Sequence, residues 1–349
     1  MAKSKGYEGK RKGEFGKAIK KPACSLSFSR TTLAGHRLKL FYSKIDRKSM
    51  TYSVVITNYN GAEILKKNLP KVVAATPDAL EILVVDDCST DHSTEVLKEL
   101  KIEYIKTDKN MGFSSTTNLG VKMAKGDLVV LLNSDVIPTK NFLKPVLPKF
   151  SNGKLFAVGL HDIDDAGVSR GRGVGKFIRG FLMHRPGEVK SGISLWASGG
   201  SGVFNRKIWN EIGGLDTIYN PAYGEDVDLG YRAWKMGYEI LFEKDAVVEH
   251  RHEEGSLRKR YSPFFRKAVT FRNQNIFVLK NITDKKYLLK YLFFLPYHLI
   301  YKFTLAFWYG FLMFLVRIPY IKRIKFIKSD EEVENLFAGE FVIKNEEIF

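Results

Sequence analysis

Cysteine is nearly absent. Cys24 and Cys88 are the two in 349 residues, too few for a disulfide framework and in keeping with a reducing compartment. Proline is sparse too, 11 residues against 29 glycines, and neither has a period, which excludes collagen-like and low-complexity chains. No early apolar run leads to a small-residue cleavage site, so a secretory signal is not expected. Long apolar runs are also missing: the cleanest, Phe303–Val316, has 14 residues, short of the ~20 that a bilayer-spanning helix needs. What the chain does have is 44% hydrophobic and 27% charged residues, enough for a packed core.

The net charge of +18 would suggest a nucleic-acid partner if it were spread over the chain, but it is segregated. Residues 1–49 carry 14 Lys and Arg against 3 Asp and Glu, and residues 256–328 carry 16 against 1. Residues 50–255 are nearly balanced, 25 against 27, and residues 329–349 are acidic, 1 against 7. The body is neutral and lacks a nucleic-acid motif, so no nucleic-acid partner is expected. The basic, weakly periodic residues 1–49 read as a disordered arm, and Met50 offers an alternative translation start.

From Tyr52 onward, strands and helices alternate. SVVITNY, EILVVDD (81–87), IEYIKT (102–107) and DLVVLLNSD (127–135) are strand-like. Helical spacing covers 62–75, a stretch ending near Leu100, and 114–124. That alternation predicts an α/β domain with a mainly parallel sheet. Its ligands are expected beyond the carboxyl ends of the strands, where Thr57-Asn58, Asp86-Asp87 and Asn133-Ser134-Asp135 stand. Residues 150–200 lose this regularity and read as a mobile or acceptor-facing region. The segment Tyr287–Ile327 is aromatic and broken by Lys and Arg, a composition that suits helices lying in a membrane interface; a buried helical hairpin is the alternative.

Four constellations follow in order: VVITNYNG, VVDDCSTD, LLNSD, and GEDVDL with a later histidine. Together they resemble the family-2 glycosyltransferases of the GT-A fold, in particular bacterial rhamnosyltransferase-like enzymes of cell-envelope glycan synthesis. The resemblance spans about residues 52–255 and continues loosely into FRNQNIFVLKN (271–281).

The resemblance implies specific roles. Asp87 would accept the imide N–H of a uracil or thymine base, with Thr57 and Tyr59 lining the nucleoside pocket and Asp86 supporting the loop. LLNSD stands where the family has Asp-x-Asp. Asp135 would be a hard oxygen ligand for Mg²⁺ or Mn²⁺ at the diphosphate, while Asn133, at the first acidic position, brings no charge. Weaker metal affinity is expected there, with metal independence as the other reading. Asp226 would be the general base, positioned by Glu225 and Asp228, unless those two bind acceptor hydroxyls. His250, 24 residues further on, would complete the metal shell, with His252 as its competitor. Asn110, Gly112 and Asn118 would lie near the nucleotide, and Gly199 and Gly200 would floor the donor sugar and acceptor. Trp209 and Trp234 are better assigned to the core than to sugar stacking.

The implied chain has a basic arm (1–49), a GT-A domain (50–255), a basic aromatic helical region at the membrane (256–328) and an acidic tail (329–349). The implied activity is inverting transfer of a sugar from a UDP- or dTDP-sugar to a hydroxyl of a lipid-linked or cell-envelope glycan, at the cytoplasmic face of the cell membrane. A processive synthase is not expected, because no Gln-x-x-Arg-Trp occurs. A sugar nucleotidyltransferase would carry Gly-x-Gly-Thr-Arg after the first strand, where this chain has TNYNGAE. A non-catalytic membrane-bound module that keeps the fold is the remaining alternative.

Overall fold

The computed structural model describes residues 50–251, 261–301 and 304–341. The basic arm, His252 and residues 342–349 lie outside that description.

The first half follows the alternation read from the sequence. Strand β1 (Tyr52–Asn58) leads to helix α1 (Ala62–Ala75), and β2 (Ile82–Asp86) to α2 (Ser93–Glu99). Next come β3 (Glu103–Lys106), α3 (Phe113–Met123), β4 (Leu128–Asn133) and β5 (Val136–Pro138). Then come β6 (Leu155–Asp164), β7 (Ser169–Arg170), β8 (Gly173–Ile178), β9 (Phe181–Pro186), β10 (Gly192–Ile193) and β11 (Ser201–Asn205). Helices α4 (Arg206–Ile212) and α5 (Glu225–Lys235) precede the long β12 (Glu239–His250). Among the described residues there follow α6 (Pro263–Asn281), α7 (Lys285–Pro296), α8 (Leu305–Arg317) and α9 (Asp330–Asn335).

The main sheet runs β10-β12-β6-β11-β4-β1-β2-β3, with β5 on β12 and β7 on β6. Strands β3, β2, β1 and β4 are parallel, whereas β11 runs antiparallel to both β4 and β6. The sheet is therefore mixed. Alternation along the central strands builds two cores, because successive side chains point to opposite faces. Val55, Val85 and Leu131 join one cluster; Val54, Ile56, Val84 and Leu132 join the other. A sheet apolar on both faces must be covered on both, and this fixes β1 and β4 in the centre with their polar ends at one edge.

Residues 150–200 are more ordered than their composition suggests. Strand β6 is buried in the middle of the sheet, and β8–β9 form a separate hairpin. Its two-residue turn, Arg179-Gly180, has φ of 47° and 88°, the left-handed pair that matches strand twist in short hairpins. A Cβ on Gly180 would lie 2.5 Å from Tyr291 Cα, so the missing side chain also lets the turn seat on α7.

The C-terminal helices are integral to the body. Helix α6 buries Arg272, Asn275, Ile276 and Val278, and Gly310 of α8 lets that helix approach the Ala268 carbonyl, which a Cβ would meet at 2.3 Å. Among the described residues no helix is long and apolar enough to cross a membrane. The acidic segment, as far as it is described, is docked. Asp330 is fully buried against Lys235 (2.7 Å) and Tyr231 (2.6 Å), and Glu340 forks onto buried Arg172 at 2.5 and 2.8 Å.

Candidate active site

The ends of β1, β2 and β4 meet at one edge of the sheet. Asp86, fully buried, accepts from Asn58 Nδ2 (2.8 Å) and from Ser89 N (2.9 Å), holding the loop after β2 against the end of β1. Asp87 accepts from Met111 N at 2.7 Å and Gly112 N at 2.9 Å, while Asn110 Nδ2 donates to the Asp87 carbonyl at 3.3 Å. Asp87 thus anchors the 107–112 loop, and Gly112, at φ 81°, starts α3. Thr57 and Tyr59 lie half-buried beside this loop's anchor on β1 and just after it.

Asn118 departs from the expected role near the nucleotide. Its amide donates to the Leu215 carbonyl at 2.7 Å and accepts from Leu215 N at 2.9 Å. Both ends of the side chain tie α3 to the 213–216 turn, so it is structural.

Asp135, just past β4, meets His250 at the end of β12. The β5–β12 pairing sets His250 opposite Val136, which brings His250 Nε2 to 3.4 Å from Asp135 Oδ1. The other ring nitrogen, Nδ1, lies 2.6 Å from Asp162 Oδ2. Burial alone would lower the His250 pKa; hydrogen bonds to Asp135 and Asp162 and the charges of both outweigh it and lift the pKa to about 9. A metal-binding histidine usually has its second nitrogen fixed by a carboxylate, and Asp162 occupies that position. Nothing in the local sequence HDID marks it, because it is 88 residues from His250 in the chain. The alignment of β6 with β12 is what joins them.

Gly199 and Gly200 connect the two halves of the site. Gly199 N donates to Asp226 Oδ1 at 3.1 Å, and Asn133 N donates to the Gly200 carbonyl at 2.8 Å. A Cβ on Gly199 would lie 2.9 Å from Asp226 Oδ1, and one on Gly200 2.5 Å from Asn133 Nδ2. Any side chain here would displace one of the two, which is the physical reason for the glycine pair.

The three acids that open α5 separate sharply. Asp226, half-buried, faces Gly199. Glu225 is buried, its Oε2 has no hydrogen-bond partner, and burial raises both carboxyls well above the ordinary range. Asp228 behaves in the opposite way. It is fully buried and accepts from Tyr219 Oη (2.8 Å), Arg232 Nε (2.8 Å), Lys280 Nζ (2.8 and 2.9 Å) and Asn281 Nδ2 (2.7 Å). Burial works against its charge, but Arg232 and Lys280 dominate and hold its carboxyl far below the usual range. It cannot bind an acceptor hydroxyl as the sequence suggested, because those donors occupy its oxygens; it locks α5 to α6.

Beside Asp226 a cavity of about 380 Å³ opens between β9, α5 and α6. Trp196, half-buried, lines it. Trp209 and Trp234 are 2% and 3% exposed and belong to the core.

The model of Glycosyl transferase family 2 matches residues 53–212. Polypeptide N-acetylgalactosaminyltransferase 8 of Drosophila melanogaster is 26% identical over 239 residues, 62% of this chain and 40% of that protein. Glycosyltransferase GlyG of Streptococcus pneumoniae is 28% identical over 229 residues, 59% of this chain and 72% of that one. The chain therefore spans less than half the length of the Drosophila relative. The crystal structure of GalNAc-T7 with UDP, GalNAc and Mn²⁺ superposes with a TM-score of 0.56 at 20% identity, over 69% of this chain and 49% of that one. At that identity the likeness is one of fold.

Proposed function

Since residues 53–212 form a family-2 glycosyltransferase domain of the GT-A fold, we propose that the protein transfers a sugar, with inversion, from a UDP- or dTDP-sugar to an acceptor hydroxyl. One observation carries this reading: the glycine pair 199–200 holds Asp226 on one side and the Asn133 strand end on the other. A carboxylate is thereby fixed across from the strand ends where donors bind in such sheets.

In this mechanism Asp226 takes the proton of the acceptor hydroxyl as the oxygen attacks the anomeric carbon from the side opposite the diphosphate. Its raised pKa matches a base that works near neutral pH. Asp87 keeps the 107–112 loop in place and has lone pairs to share with the base; Thr57, Tyr59, Asn110 and Gly112 surround the nucleoside.

Asp135 and His250 would hold Mg²⁺ or Mn²⁺. They fit such an ion: a carboxylate oxygen faces an imidazole nitrogen, and Asp162 fixes the ring's other nitrogen. When bound, the cation offsets charge that builds on the diphosphate. Asn133 adds no charge, so a bound cation would have fewer anionic ligands than an Asp-x-Asp pair provides.

The C-terminal segment supports an interfacial location. Phe293, Val316 and Ile327 are 77%, 73% and 83% exposed, beside exposed Lys290, Lys322 and Lys325. Apolar side chains rimmed by lysines suit an anionic bilayer surface, and hence a lipid-linked or cell-envelope glycan as acceptor at the cytoplasmic leaflet.

Calorimetric titration with UDP, dTDP and GDP, with and without Mn²⁺, tests the donor site. Metal-dependent binding of a pyrimidine diphosphate, lost in Asp135→Ala, is the expected result. Absence of binding by any of the three would refute the reading.

A further inference from the structure

We infer that Asn273 of α6 is a positioning residue for Asp226, acting through the left-handed backbone of Tyr223 and Gly224. The inference rests on the transferase reading, in which Asp226 takes the acceptor's proton, and names what fixes that carboxylate in space.

The backbone just ahead of Asp226 has a conformation that it would not adopt unaided. Tyr223 and Gly224 have φ of 69° and 96°. Glycine takes such values freely. For a bulky residue they are a genuine outlier, and one that persists only where the surroundings over-determine it. The Tyr223 ring is 40% exposed, so its packing does little of that holding. Helix α5 has no side-chain cap at Gly224 either. Its first turn, with Glu225 and Asp226, is therefore fixed from outside the helix.

Asn273 supplies the hold. It is buried, and its Nδ2 donates to the carbonyls of Tyr223 at 2.6 Å, Ala222 at 2.9 Å and Tyr219 at 3.3 Å. An amide nitrogen has two hydrogens, so one of them is shared between carbonyls. Arg272 Nε donates to the amide oxygen at 2.8 Å, which turns the nitrogen, not the oxygen, toward the loop. The start of the loop is pinned as well. Arg272 Nη2 donates to the Tyr219 and Asn220 carbonyls at 2.9 and 2.8 Å, and Arg317 Nη1 of α8 donates to that of Ile218 at 2.7 Å.

The consequence for the reaction is geometric. A hydrogen bond from Gly199 N orients the Asp226 carboxylate, but where its Cα stands depends on the backbone that Asn273 holds. Misplacing a reacting group by about 1 Å can lower a rate about a hundredfold. The hold comes from α6 and α8, so the C-terminal helices set the catalytic geometry as well as covering the core.

A double-mutant cycle on the full chain tests this. Turnover is read as nucleoside diphosphate released from UDP- and dTDP-sugars with Mn²⁺ present and water as the acceptor. Asn273→Ala should lower kcat about tenfold or more, with donor KM and UDP affinity within about twofold. In a Tyr223→Gly background the same change should cost about threefold or less, because glycine needs no holding at a positive φ. Asn273→Ser, which keeps one donor, should show a smaller loss with the same dependence on Tyr223, and it serves the cycle if the alanine variant does not fold. Equal losses in the two backgrounds, or an unchanged kcat, would overturn the role. A fall in UDP affinity as large as that in kcat would do so too, since it marks a general loss of structure. Absence of both release and UDP binding in the unaltered protein would refute the transferase reading, and the positioning role with it. Release by the unaltered protein confines any failure to Asn273.

Discussion

Asp226 and Asp228 lie two positions apart on α5 and have opposite chemistry, because one faces a glycine turn and the other faces Arg232 and Lys280. In the proposed mechanism Asp226, not Asp228, accepts the proton. Asp226→Asn should lower transfer by at least about a hundredfold while UDP affinity stays within twofold, measured by calorimetry beside a donor-turnover assay. Burial lifts the Asp226 pKa to about 7. The base must be ionised, so turnover by the unaltered protein should climb as pH rises through that value; a rate flat from pH 6 to 8 would contradict it. In the proposed metal site Asp162 would be a positioning residue that acts through His250, to whose Nδ1 it is hydrogen-bonded. Asp162→Asn should weaken Mn²⁺ binding about 10–100-fold with little change in UDP affinity in the absence of metal, read from metal titrations.

At the scale of elements, α9 is short and acidic, yet it closes the fold. Its capping box, formed by Ser329 and Glu332, starts the helix, and Val333 and Phe337 insert into the main core. The anchor is Asp330, which accepts from Lys235, Tyr231 and the backbone N–H groups of Thr283 and Asp284. Removing one partner of a buried ion pair leaves the other charge uncompensated. Asp330→Asn should therefore cost about 3–5 kcal/mol in denaturant unfolding. Burial opposes the Asp330 charge, but Lys235 and the other donors outweigh it and depress its pKa. A depressed carboxyl stabilises the fold at pH above its unfolded value, and that contribution is lost as pH falls through the folded value. The acid limb of the stability profile should accordingly flatten in Asp330→Asn.

Over the whole molecule, charge and apolar exposure coincide. Residues 256–328 carry the basic excess and, among those described, expose Phe293, Val316 and Ile327, whereas residues 50–255 are close to neutral. Co-sedimentation with phosphatidylglycerol vesicles should exceed that with phosphatidylcholine vesicles and fall with salt. Each lysine near an anionic surface contributes about 1 kcal/mol. The double variant Lys322→Gln, Lys325→Gln should then lose about 2 kcal/mol of binding; equal binding to both vesicle types would refute the electrostatic part.

Local sequence determined the first half of the fold and put Asp87 and Asp135 at strand ends. Buried strands need β-branched runs, their ends need polar residues, and both are contiguous in the chain. Helix α1 begins and ends where its spacing indicated, and Trp209 and Trp234 are in the core as their setting suggested. Tertiary structure alone decided the rest. Asp162 reaches His250 through the register of two strands, Trp196 is placed by glycines on β8 and α5, and Asn118 and Asp228 are taken up by partners 97 and 52 residues away. The acidic segment is docked by charges it meets only after folding. A one-dimensional pattern reports which face of an element is apolar. Which other element covers that face, and which polar atoms are then left without partners, follows only once the chain has closed on itself.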